Sequence, residues 1–143
     1  MIPKVVVDTN VVVSARLREQ GRPALIMNMA AAGKIQMFIS PEIWSEYEEV
    51  LYRPKFKLEP HLVRAALEII RSSSTMVEPK RHARKAKDKK DNRFLAAAAA
   101  AGAGYIITGN TRHFPDRYRK SRIVTPAEFI TVIGPILGLP TTR

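Results

Sequence analysis

Ile2-Pro3-Lys4-Val5-Val6-Val7-Asp8-Thr9-Asn10-Val11-Val12-Val13 is the stretch that decides the fold. Its first half is β-branched, apolar and of strand length, without helical spacing, so it reads as an interior strand covered on both faces. The run stops at an acid. A carboxylate at the end of a buried apolar segment costs free energy unless something compensates it. Asp8 is therefore expected at the carboxyl edge of a sheet, where ligands and catalytic groups gather in open α/β folds. A metal ion is the natural partner for such an acid. The competing structural role for Asp8 is to cap the helix that follows, and Thr9 and Asn10 are further candidates for that cap.

Outward from this strand, helical and strand-like segments alternate. A helix begins near Thr9 or Asn10, Arg18-Glu19-Gln20-Gly21 forms a turn, and Arg22 to Ala32 is helical until Gly33. Gln36 to Ser40 is a short strand. Ser40-Pro41-Glu42 opens a helix to about Tyr52, with Ser at the cap and Pro in the first turn. Pro60 starts a helix through Ile70, with Leu62, Ala66, Ile69 and Ile70 expected on its inner side. Thr75 to Val77 reads as an edge strand, because Pro79 follows it. Lys80 to Lys90 is a basic loop. Asp91 opens an alanine-rich helix, Phe94 to Ala101, closed by Gly102 and Gly104. Tyr105 to Thr108 and Arg122 to Val124 are strands, and Thr125-Pro126-Ala127-Glu128 is a helix start with a capping box. From Gly134 onward, Pro135, Gly138 and Pro140 predict a loose tail. The expectation is one α/β domain over 1–133, with a mainly parallel sheet between helices, and a flexible tail over 134–143.

Composition narrows the function. The 143 residues suffice for one core. There is no cysteine, hence neither a disulfide framework nor a thiolate metal site. No apolar run reaches membrane-spanning length, and the start of the chain lacks the pattern of a signal peptide. A cytoplasmic protein that avoids membranes is expected. Twenty-four Lys and Arg against thirteen Asp and Glu give a net charge of +11. Such a field attracts polyanions, of which nucleic acid is the usual one. Solubility alone would also account for the charge, but the cations cluster. Lys80, Arg81, Arg84, Lys85, Lys87, Lys89 and Lys90 fill one segment, and Arg112, Arg117, Arg119, Lys120 and Arg122 another.

The remaining chemistry lies in carboxylates. In the helix after Ser40 the apolar stripe is Ile43, Trp44, Tyr47, Val50 and Leu51. Glu42 and Glu49 point away from it, whereas Glu46 and Glu48 lie on its flanks, and periodicity does not choose between them. Asp88 and Asp91 bracket the start of the alanine-rich helix, where either can serve as a cap or face a pocket. Thr108-Gly109-Asn110 ends a strand as Asp8-Thr9-Asn10 does. The three histidines supply neither an HxxxH pair nor a dyad for metal-free cleavage.

The order strand-Asp, helix-Glu, Asp at a helix start, strand-Thr-Gly-Asn resembles the PIN-domain family of metal-dependent ribonucleases. The matching segments are Val5 to Val11, Ser40 to Tyr47, Asp88 to Leu95 and Tyr105 to Asn110, within a resemblance spanning residues 2 to about 130. The resemblance implies a three-layer PIN-like fold. It also implies that Asp8, Glu46 and Asp91 are the principal catalytic acids and hold Mg²⁺ or Mn²⁺, so Glu46 is preferred to Glu48. Asn110 occupies the position where many members carry a fourth acid; this departure removes one charge, but as a catalytic-site residue Asn110 can still ligate a hard cation or orient a water through its carbonyl. Asp116 is a weaker substitute for it. Thr108 and Asn10 would orient water or ligand, and Lys85, Lys87, Lys89, Lys90 and Arg112 would contact RNA phosphates. Oxygen-only ligands suit Mg²⁺ or Mn²⁺ rather than zinc. The commonest role in the family, the toxin half of a toxin–antitoxin pair, implies RNA as substrate, with an antitoxin protein and a homodimer as further partners. Two rivals stand beside this reading. One is an RNA-binding module with weakened catalysis. The other is a nucleotide-binding α/β domain, which lacks both GxGxxG and GxxxxGK[ST] in the required places.

Overall fold

Val5, Val6 and Val7 are fully buried in the middle of a six-stranded sheet. The computed structural model describes residues 2–81 and 83–139; Met1, His82 and the last four residues of the expected tail lie outside the described residues. The elements are β1 (Lys4–Val7), α1 (Thr9–Leu17), α2 (Arg22–Ala31), β2 (Gln36–Ile39), α3 (Pro41–Leu51), α4 (Pro60–Ser73) and β3 (Ser74–Met76). They continue as α5 (Asn92–Ala101), β4 (Tyr105–Ile107), β5 (Arg117–Tyr118), β6 (Ser121–Val124) and α6 (Pro126–Leu137). Strand order is β3-β2-β1-β4-β6-β5, with every pairing parallel except β5 on β6.

This order positions the site. From β1 the chain adds β2 and then β3 on one side, returns, and adds β4 on the other side of β1. Right-handed crossovers that progress in opposite directions place their helices on opposite faces. Accordingly α5 packs on β1, β2 and β4, while α2 contacts α1, α4 and α6. Ala97 and Ala98 are buried in the α5 interface, where small side chains allow close approach to the sheet. Gly102 ends α5 in the left-handed conformation (φ 64°), its amide donating to Ala98 and Ala99 carbonyls, as the sequence predicts. Tyr47, Phe94 and Phe129 are the largest fully buried side chains. No helix among the described residues is long and apolar enough to cross a membrane.

Several expectations need correction. The inner face of α4 is Val63, Ala66, Leu67 and Ile70, whereas Leu62 and Ile69 are 49% and 53% exposed. Leu62-Ala66-Ile69 and Val63-Leu67-Ile70 both follow i, i+4, i+7, on stripes about 100° apart, and packing selects the second. A single 3-10 turn, Lys89–Asp91, precedes α5, which starts at Asn92. The two-residue strand β5 was not expected. It makes a hairpin with β6 through Arg119, whose φ is 53°. The segment read as a loose tail from Gly134 is instead helical to Leu137, with Pro135 inside α6. Burial of Ile133 and Gly134 and packing of Leu137 and Leu139 on the core outweigh the acceptor left unbonded by the proline. Gly138 closes the helix, and the Leu139 amide donates to the Gly134 carbonyl at 2.8 Å.

Candidate active site

The reversal of strand order between β1 and β4 opens a crevice at their carboxyl ends. Asp8 follows β1 there and Thr108 follows β4, and the two chains are joined by the Asp8 amide donating to the Ile107 carbonyl at 2.9 Å. Asp8 stands at the cap position of α1 but makes no side-chain cap bond. Its carboxylate instead accepts the Thr108 hydroxyl at 2.7 Å. The Thr108 oxygen in turn accepts the Asn110 amide at 3.0 Å, so the β4 turn is built around the same hydroxyl. The side-chain capping bond considered for Asp8 is thus absent.

Asp8 is 6% exposed. Burial is the main cause that raises its pKa from 3.8 to about 6; Thr108 opposes the rise, and the charges of Asp91 and Glu46 add to it. Those two acids approach from separate elements. Glu46 projects from the second turn of α3, accepts the Thr9 hydroxyl and pairs with Arg93 at 3.1 Å. Asp91 ends the 3-10 turn before α5 and lies 3.5 Å from His113 Nδ1. Its pKa is also raised, first by burial and then by Asp88, with His113 opposing and Glu46 adding. Three acids from three elements therefore share one field around a buried carboxylate.

Each other predicted residue has a definite place. Glu48 is exposed on the outer side of α3 beside Tyr52 and Arg64, away from Asp8. Glu49 is exposed and bonded to Arg53 at 2.7 Å. Asp88 caps the 3-10 turn by accepting the Lys90 amide at 3.0 Å. Asn10 accepts the Gly109 amide at 3.1 Å, which ties the start of α1 to the β4 turn. The Asn110 amide nitrogen lies 3.1 Å from the His113 ring, so Asn110 reaches Asp91 only through that histidine. Asp116 is exposed in a groove beside α6 with Arg122 and Glu128, and does not stand in for the missing acid. Lys85, Lys87, Lys89, Lys90 and Arg112 are all exposed. The Lys87 amide donates to the His113 carbonyl at 3.0 Å and the Ala86 amide to Asn92 at 2.9 Å, which moors the basic segment beside the acids.

Four residues escaped the sequence reading. Arg93 bonds the Lys90 carbonyl and Glu46; its only sequence signal is its place two residues after Asp91. His113, set by the 3-10 turn Thr111–His113, touches both Asp91 and Asn110. Thr9 holds Glu46. Buried Tyr47 donates its hydroxyl to the Val7 carbonyl, and its pKa is driven well up by burial and by Asp8 and Glu46.

Among the described residues no group of three or more His, Asp or Glu is close enough to enclose one ion as arranged. Arg93 and His113 hold Glu46 and Asp91 in the present geometry. The donor chemistry nevertheless fits a hard divalent cation: the converging groups are carboxylates, and the pKa values of Asp8 and Asp91 are raised first by burial and further by neighbouring acids.

The PIN domain profile matches residues 4–112, a span holding all three acids and Asn110. A Methanocaldococcus jannaschii protein, itself uncharacterised, is 30% identical over 139 residues, covering 89% of each chain. With that span matched and the sheet order in place, the chain belongs to the PIN-domain family, whose members are generally nucleases.

Proposed function

We propose that the protein is a divalent-metal-dependent endoribonuclease. The observation that carries this reading is the buried Asp8 carboxylate at the sheet crossover, under the combined field of Asp91 and Glu46 and beside an exposed basic segment. Asp8, Glu46 and Asp91 would hold Mg²⁺ or Mn²⁺, with Glu46 and Asp91 leaving Arg93 and His113 to do so. A bound cation would supply a more acidic water and charge stabilisation at the attacked phosphate. Thr108 keeps Asp8 oriented, and Asn10 keeps the Thr108-Gly109-Asn110 turn in place. Arg93, once free of Glu46, is a cation within the crevice for a phosphate oxygen. Lys85, Lys87, Lys89, Lys90 and Arg112 would take flanking phosphates without reading sequence.

The family resemblance supports a toxin-like component of a toxin–antitoxin pair as its biological role, with an antitoxin protein and a second copy of the chain as partners. A second reading is an RNA-binding module with weakened catalysis, favoured by the uncharged Asn110 and by the pairing of Glu46 and Asp91 with basic groups. Titration with Mn²⁺ during incubation with a mixed RNA pool separates the two. The nuclease gives cleavage that rises with Mn²⁺, stops on chelation and is lost in Asp8→Asn. Binding without turnover at any Mn²⁺ concentration would leave the binding module.

A further inference from the structure

Two grooves meet on the alanine face of α5, and Ala96 lines both. The first adjoins the acids and is lined by Arg93, Arg84, Lys87 and Lys89. The second lies farther along the helix. It has a volume of about 360 Å³ over a floor of Ala96, Ala99 and Ala100, between the Glu78–Arg81 segment and the Tyr118–Arg119 turn. The acidic site makes no use of it. Its charged groups are Lys80, Arg81 and Arg119 against Glu78. The Arg119 guanidinium stands 5.6 Å from the centroid of the Tyr118 ring. The hairpin that ends the sheet thus sets a guanidinium over the half-buried Tyr118 ring, over a helix whose methyl side chains leave the floor open.

We propose that this second groove is a subsite for single-stranded nucleic acid, which takes a base at the Tyr118–Arg119 stack and phosphates at Lys80 and Arg81. The proposal rests on the reading of the acidic site as the cleavage centre. Aromatic faces with neighbouring cations bind successive nucleotides without sequence preference. From Arg93 to Ala100 the helix rises about 10 Å, the span of about three stacked nucleotides. A strand held at the acids therefore arrives at Tyr118 about three nucleotides away, and longer strands gain contacts that a trinucleotide lacks.

The test uses the full chain and fluorescein-labelled single-stranded RNA, a 12-mer and a trinucleotide, with chelator present so that nothing is cut. The triple variant Lys80→Gln, Arg81→Gln, Arg119→Gln is compared with the parent and with Lys85→Gln, Lys87→Gln, Lys89→Gln, Lys90→Gln. Tyr118→Leu probes the stack separately, and a thermal melt checks that each variant folds. The triple variant and Tyr118→Leu should each weaken 12-mer binding by about tenfold. The triple variant should also lower the salt slope by about 1.4, and trinucleotide binding should stay at the parent level. Parent affinity and slope for the 12-mer in the triple variant, with the lysine variant impaired, would overturn this subsite and leave the acidic-site reading intact. Failure of the parent to bind the 12-mer would overturn the subsite, whereas the acidic-site reading is decided separately by the Mn²⁺ titration. Tighter binding of a charge-matched oligoglutamate peptide than of RNA would overturn the nucleic-acid assignment.

Discussion

Asp8→Asn should stabilise the metal-free protein while removing its metal response. The rise of the Asp8 pKa from 3.8 to about 6 comes first from burial and then from Asp91 and Glu46. A folded pKa above the unfolded one means that the folded state binds its proton more tightly. The stability this group contributes is full below about pH 4 and is lost as pH rises through about 6. At about 1.4 kcal/mol per pH unit, the ionised carboxylate costs up to about 3 kcal/mol at pH 7.5 and about half of that at pH 5. Asparagine carries no charge and its oxygen can still accept the Thr108 hydroxyl. In chelator, urea unfolding followed by the single tryptophan, Trp44, should show a gain of about 1–3 kcal/mol at pH 7.5 that shrinks by pH 5. Added Mn²⁺ should then stabilise the parent by mass action and leave the variant unchanged. A variant that is less stable than the parent at pH 7.5, or one whose gain is the same at both pH values, would refute the electrostatic argument. Equal stabilisation of both proteins by Mn²⁺ would remove Asp8 from the ligand set.

Other outcomes follow from the same geometry. Glu46→Gln should lower cleavage by about a hundredfold, whereas exposed Glu48→Gln should leave it unchanged; initial rates on one RNA decide. Arg93→Ala frees Glu46 and should tighten Mn²⁺ binding in calorimetry while slowing cleavage, and weaker Mn²⁺ binding would show that Arg93 positions Glu46 instead of competing for it. Asn110→Asp should tighten Mn²⁺ binding and keep activity level or higher at low Mn²⁺, and an unchanged calorimetric titration would mean that His113 screens the new charge from the site. Thr125→Ala breaks the capping box of α6 and should cost about 1 kcal/mol in urea unfolding, with no effect on metal affinity.

The parts of this molecule legible in the sequence are those governed by local rules. The Val5–Val7 run, the Ser40 and Thr125 caps, the Gly102 stop and the polar ends of β1 and β4 each state their structure within a few residues. Asp8 was legible because a buried strand ended on it. The pairing of Glu46 with Arg93 and of Asp91 with His113 was not, since each joins elements far apart in the chain. The same holds for α4, where the stripes starting at Leu62 and at Val63 have the same spacing and only the packed neighbours choose between them. The tail was misread because Pro135 and Gly138 are local breakers, while the burial of Ile133 and Gly134 that overrides them is tertiary. Strand β5 has two residues, too few for any alternation to register.

Synthesis of the chain gives the sheet order a temporal meaning. The Thr108 hydroxyl orients Asp8, and the Thr108 amide is itself held by the Val124 carbonyl at 2.9 Å. Strand β6, which supplies that carbonyl, follows the acids and the β4 turn in the chain. A growing polypeptide that already carries Asp8, Glu46 and Asp91 has β4 paired on one side only, and the residue that aims Asp8 lacks its own anchor. The acidic crevice is therefore completed late, once residue 124 has been added and β6 has docked. A fragment ending at residue 112 would hold every acid of the site with the hydroxyl that aligns Asp8 left unanchored.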